Sequence, residues 1–272
     1  MTTTITSDAR AGGAALTRSA RQIGFVVAGW LVIAAVWELA ARFLTGGIFP
    51  GPVAVAEEMI DLLAAGNVFP HFASTLWKIA VGFGIGVSVG APIGYLMGRY
   101  EYWKAFFRDG VTISGSIPTV SYAVMSLILF GLTPLGPILV VAIVSTPYIA
   151  VNVAEGTENV DASLRRMSRA YGRSEADIRR HVDFPSIAPY LFAGVRVSFA
   201  VAWKVAALTE VFGGSGGVGY QIKHEYQSFS IAGLLAWMFF FVIFMLALER
   251  LLAYIEGRVL RWRPQERTGV LA

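Results

Sequence analysis

GVTISGSIPTVSYAVMSLILFGLTPLGPILVVAIVSTPYIAVNVA, residues 110–154, runs for 45 positions without an Asp, Glu, Lys or Arg. As one helix it would be about 67 Å long at ~1.5 Å per residue. That is twice the roughly 30 Å hydrocarbon core of a bilayer. GLTPLGP (131–137) sets two glycines and two prolines inside it, which break a helix, so the run reads as two spans. The whole chain agrees: 272 residues are 56% hydrophobic and only 15% charged, with a mean hydropathy of +0.61, values of the membrane class.

Four more apolar segments lie outside this run. Ile23–Leu44 carries Glu38 and Arg42, four apart and able to pair on one face. Ile79–Met97 has no charge, Tyr190–Phe212 carries Arg196, Lys204 and Glu210, and Ile231–Leu248 is the last. The expected fold is all-α, a polytopic membrane protein with six transmembrane helices. The expected organisation is an N-terminal tail 1–22, a membrane domain 23–256 with a long polar loop at 155–187, and a C-terminal tail 257–272.

Orientation follows from Lys and Arg, which accumulate on the cytoplasmic side. With both termini inside, the N-terminal tail holds three, the segment after the second span three, residues 165–180 six and the C-terminal segment five, 17 of the 22. The net charge of +4 is accounted for in this way and calls for no nucleic-acid partner. The polar, Arg-bearing start reads as a retained cytoplasmic tail, since the apolar run behind it is too long for a signal-peptide core. The absence of cysteine excludes a disulfide framework and a thiolate metal site.

RRMSRAYGRSEADIRRHVDFP (165–185) is the most basic stretch, with six arginines against three acids. Asp161 can cap a helix through Tyr171, and Gly172 can end it in a left-handed turn. Ser174, with Asp177 three residues on, forms a capping-box pattern for a second short helix, and Pro185 closes it. Two readings stand at this point: a loop held at the lipid surface by charge, or a docking element for a cytoplasmic partner.

Gly172, then nine residues, Val182, one residue, Phe184 and Pro185 resemble the G-x9-I-x-L-P core of the loop signature in inner-membrane permease subunits of bacterial ABC importers. Arg166, Met167 and Ser168 stand where that signature has a glutamate and two alanines. Residues 49–98, 116–131 and 194–222 are similar to the nitrate, sulfonate and taurine branch, with Ser116 and Lys78 where arginine is common. The resemblance implies a type I ABC importer permease fold working as a homodimer in the bacterial inner membrane. It implies two ATPase subunits on the cytoplasmic face, which bind ATP and Mg, and a periplasmic or lipid-anchored solute-binding protein outside. It implies that Arg169, Gly172, Ser174, Glu175, Asp177, Val182 and Pro185 belong to an ATPase-coupling helix.

Gly82, Gly86, Gly90, Gly94 and Gly98 recur every four residues, a repeated G-x-x-x-G that lets helix backbones approach closely. Arg196, Trp203 and Glu210, spaced by seven, share one stripe of their span, with Lys204 about 100° away. Charges at membrane depth face a bundle interior or a watery cavity. Arg196 is near enough to the inner end to snorkel, Lys204 sits near mid-depth and reads as a cavity residue, and Glu210 can pair with Lys78 or His71, or help gate. GGSGGVGYQ (213–221) is glycine-rich but has no Gly-Lys-Ser/Thr, so no cofactor and no ATP site is expected in this chain. The expected function is translocation of a small anionic or zwitterionic solute of the sulfonate, taurine, nitrate or bicarbonate type. The alternatives are a stand-alone secondary transporter, a membrane enzyme, or an ABC permease for a heteroaromatic precursor. No nucleophile with a base or metal set is visible for an enzyme, and no internal repeat for a secondary transporter.

Overall fold

The computed structural model describes residues 6–43 and 48–261, with side chains from Gly24 onward. Residues 1–5 and 262–272 of the two expected tails lie outside the described residues. Every regular element among the described residues is helical. In chain order these are α1 (Thr6–Phe43), α2 (Pro52–Ala64), α3 (Val68–Arg99), α4 (Glu101–Ser116), α5 (Thr119–Phe130), α6 (Leu135–Glu158), α7 (Ala162–Ala170), α8 (Glu175–Ile178), α9 (Phe184–Gly213), α10 (Val218–Gln227) and α11 (Ile231–Val259). Five stretches are long and apolar enough to cross a membrane: Gly24–Phe43 within α1, α3, α6, Glu175–Gly213 and α11. The pair α4 and α5, bent by 89° at its break, makes a sixth if counted as one span.

That bend revises the reading of 110–154. The segment ahead of GLTPLGP is two helices with a corner, because Pro118 bars its predecessor from the helical region. Ile117 accordingly takes an extended conformation, φ −66° and ψ 129°. The break after α5 does fall at Gly131, whose φ of +62° suits a glycine.

The glycine repeat of α3 lies against α6. A Cβ on Gly82, Gly86, Gly90, Gly94 or Gly98 would meet the carbonyl oxygens of Ile138, Ala142, Thr146, Ala150 and Ala154 respectively. Both series advance by four in the same direction, so α3 and α6 run parallel with their backbones in contact, the arrangement that small residues permit. Helix α9 packs on α3, α5, α6, α10 and α11. Phe72, Ile79, Trp203, Ala206, Trp237 and Phe240 form the main core between α3, α9 and α11. Most of residues 24–43 of α1 are exposed, away from this core; Trp37 attaches the helix by stacking on Phe239 and by donating through Nε1 to Pro50 O at 3.1 Å.

Candidate functional site

The basic loop folds as a two-helix elbow. Asp161 Oδ1 accepts from Ser163 N at 2.7 Å and caps α7, and this bonding holds its carboxyl below the usual carboxylate range. The turn ends with Gly172 N–H donating to Arg169 O at 2.9 Å and Arg173 N–H to Ser168 O at 3.1 Å. Gly172 has φ +72° and open space where a Cβ would stand. Ser174 Oγ accepts from Asp177 N at 3.1 Å and Asp177 Oδ2 accepts from Ser174 N at 3.4 Å, the two bonds of the capping box of α8, with Ser174 Oγ also donating to Asp177 Oδ2 at 2.8 Å. Arg169 Nε donates to Glu175 Oε1 at 2.7 Å across the elbow. Arg166, Arg169, Arg173, Arg179 and Arg180 are exposed.

Pro185 does not close the second helix. A π-helical turn, Arg179–Asp183, carries the chain from α8 into α9, with Pro185 in the first turn of α9. Its missing N–H interrupts the backbone ladder just after the π-helical turn, where Phe184 N–H still donates to Arg179 O. Val182 is half-buried against Ile149, Val153 and Ile187. The junction is fastened by residues outside the sequence-based site: buried Asp183 accepts from Arg165 Nε at 2.8 Å and from Tyr95 Oη at 3.0 Å.

At the other end of α9 a buried polar node joins α3, α9 and the turn into α10. Lys78 Nζ donates to Glu210 Oε1 at 2.8 Å and to Gly216 O at 2.6 Å. Thr75 Oγ1 donates to Glu210 Oε2 at 2.8 Å and accepts from Val218 N at 2.9 Å. Gly219 N–H donates to Glu210 Oε2 at 3.0 Å. A Cβ on Gly217 or Gly219 would collide with Glu210, so the glycine-rich segment wraps the carboxylate closely. Of the two partners open to Glu210, the fold pairs it with Lys78; His71 Nε2 instead accepts from Gln221 Nε2 at 2.6 Å and lies edge-on to Trp237.

The remaining candidates separate. Trp203 is fully buried and stacks on Phe72 and Phe241, which makes it a packing residue. Arg196 pairs with Glu256 of α11. Ser116 is exposed beside the α4–α5 corner, its Oγ donating to Thr112 O at 2.8 Å. Lys204 is exposed on the side of α9 away from the main core.

Residues 90–261 match the family described as "Binding-protein-dependent transport system inner membrane component". An ABC transporter permease protein of Brucella abortus (strain 2308) is 26% identical over 240 residues, covering 88% of this chain and 92% of the relative. The aliphatic sulfonates transport permease protein SsuC of Escherichia coli (strain K12) is 27% identical over 199 residues, 71% of this chain and 76% of its own. The nitrate import permease protein NrtB of a Synechocystis species is 26% identical over 238 residues, 84% and 86%. Among solved structures, the MetNI methionine ABC transporter in inward-facing conformations aligns with a TM-score of 0.57 at 20% identity, over 69% of this chain and 92% of that one. An amino acid ABC transporter aligns at 0.60 and 19%, over 74% and 98%. At these identities the structural likeness is one of fold.

Proposed function

Because the chain belongs to the binding-protein-dependent transport system inner membrane components, we propose that it is one of two identical membrane subunits enclosing the passage of an ATP-driven importer. It is a permease, a transport subunit, and ATP hydrolysis belongs to separate subunits. Both termini face the cytoplasm, residues 23–256 form the membrane domain, and the loop 155–187 meets an ATPase subunit. The opposite end, with the turn into α10, meets the solute-binding protein. The solute is a small anion or zwitterion, in line with the sulfonate and nitrate permeases among the relatives.

The observation that carries this reading is the elbow. A loop serving only as a topological anchor needs summed positive charge, about 1 kcal/mol per basic residue near anionic lipid, and no particular shape. Here Asp161, Gly172 and the Ser174–Asp177 box define both short helices, and Asp183 fastens them to α3 and α9. The test is Gly172→Val. It keeps every charge and meets no neighbouring atom, yet a β-branched residue at φ +72° costs roughly 1–2 kcal/mol. The variant should insert normally but lose the ATPase on purification or hydrolyse ATP without uptake. Full coupled transport by Gly172→Val would reduce the loop to an anchor.

A further inference from the structure

Lys204 lies nine residues before the C-terminal residue of α9, about 14 Å inside that end at ~1.5 Å per residue. It is near the middle of the spanning part of the helix, yet it is exposed on this chain. The other two ionisable side chains of the spanning part are paired, Glu210 with Lys78 and Arg196 with Glu256. Lys204 has no acid within ion-pair distance among the described residues. Its face is otherwise apolar: Val197 is half exposed, and Val201 and Leu208 are half-buried. A lone ammonium on such a face is expensive toward lipid tails and is tolerated toward water.

A second observation lies at the same depth. Val201 and Val205, on either side of Lys204 in sequence, pack in one cluster with Tyr122 of α5. Tyr122 is three residues into α5 and donates through Oη across the corner to Ser114 O at 3.0 Å. Lys204 is therefore at the depth of the α4–α5 corner, where Ser116, Ile117 and Pro118 are exposed. Non-helical backbone at membrane depth persists where it is covered by protein or lines a watery cavity, and is excluded from lipid. Two unlike features at one depth, an unpaired cation and an open corner, point to one aqueous surface.

Resting on the importer reading above, we propose that Lys204 lines the passage between the two copies and selects for a negatively charged group on the solute. Two copies bring two ammonium groups to the passage, neither paired with an acid among the described residues of its own chain. The passage then attracts a sulfonate, nitrate or carboxylate group and repels a cation.

The chain has no cysteine, so the local potential can be read without knowing the solute. Ala200, one turn before Lys204 and half-buried, is replaced in the full complex with ATPase and binding protein. The rates of Ala200→Cys modification by membrane-impermeant methanethiosulfonates bearing a sulfonate or a trimethylammonium group are then compared. Relative to a free thiol, the anionic reagent should be favoured by roughly tenfold, the lower end of what a like-charged cleft produces. Adding Lys204→Gln should abolish that preference and Lys204→Arg should keep it. In an assembled complex with ATP-driven hydrolysis, no modification by either reagent, or a preference unaltered by Lys204→Gln, would overturn the Lys204 assignment and leave the importer reading standing. Failure of the parent chain to assemble with an ATPase would remove the importer reading, and this inference with it.

Discussion

Lys78→Met tests the buried node most directly. The Lys78 side chain is 4% exposed and Glu210 is 0% exposed, so neither charge is relieved by solvent. Methionine keeps most of the apolar stem and removes the ammonium. Glu210 retains the Thr75 hydroxyl and the Gly219 N–H, while Gly216 O loses its 2.6 Å donor. Removing one partner of a buried pair costs about 3–5 kcal/mol, because the other charge stays behind. The two remaining donors put the expected loss near the lower end, about 3 kcal/mol. Removing the second charge as well, in Lys78→Met/Glu210→Gln, should recover at least ~1.5 kcal/mol, half of that loss, since the stranded charge carried much of the penalty. The measurement is equilibrium unfolding in mixed micelles for parent, both single variants and the double variant. A Lys78→Met protein as stable as the parent, or a double variant no more stable than Lys78→Met, would refute the account of Glu210 as a carboxylate dependent on its lysine.

Two further expectations concern packing and orientation. Gly90→Leu should cost about 1–3 kcal/mol by overpacking, since its Cβ would stand 2.8 Å from Thr146 O; Gly84→Ala, with open space around it, should cost nothing in the same unfolding assay. A cysteine placed at exposed Ser215 should react with an impermeant reagent added outside intact cells and one at exposed Ser174 should not; the reverse pattern would invert the proposed orientation.

Local chemistry was the readable part of this chain. The capping box at Ser174 and Asp177 needs only three residues of spacing, and the glycine repeat of α3 declares a packing face through its period alone. The corner between α4 and α5 had a signal in Pro118, but it sits in an uncharged run of 45 residues, where hydropathy averages over a change of direction. Lys78 and Glu210 are 132 positions apart; their charges were visible, while the choice of Lys78 over His71 depended on how α3 and α9 meet. Asp183 was hidden for a different reason. In a stretch of arginines its carboxylate reads as one more surface charge, and only Tyr95, from a helix 88 positions earlier, reveals it as a buried fastening. The short helices α2 and α10 are too brief to stand out by periodicity from the loops that hold them.

The two fastenings bear on how a docking event at the elbow would reach the far side of the membrane. From Glu175 to Gly213 the chain is helical without interruption, about 58 Å at ~1.5 Å per residue, so α8 and α9 belong to one continuous helical segment. Both ends of α9 are tied to the same helix, α3: Asp183 to Tyr95 and Glu210 to Lys78 and Thr75. The ties differ. Arg165, the second partner of Asp183, keeps 15% exposure, and the π-helical turn beside it holds an extra residue that a rearrangement can absorb. The Glu210 tie is fully buried and accepts from three donors, Lys78, Thr75 and Gly219. A helix held firmly at one end and loosely at the other is expected to pivot about the firm end, with motion beginning at residues 179–190 while 207–213 stay in register with α3. Lys78→Met converts the firm end into a second loose one. Its amide exchange should accelerate along the last turns of α9 and the turn into α10, with residues 179–190 unchanged; uniform acceleration along α9 would mean that the helix is held by its apolar packing and that neither tie acts as a pivot.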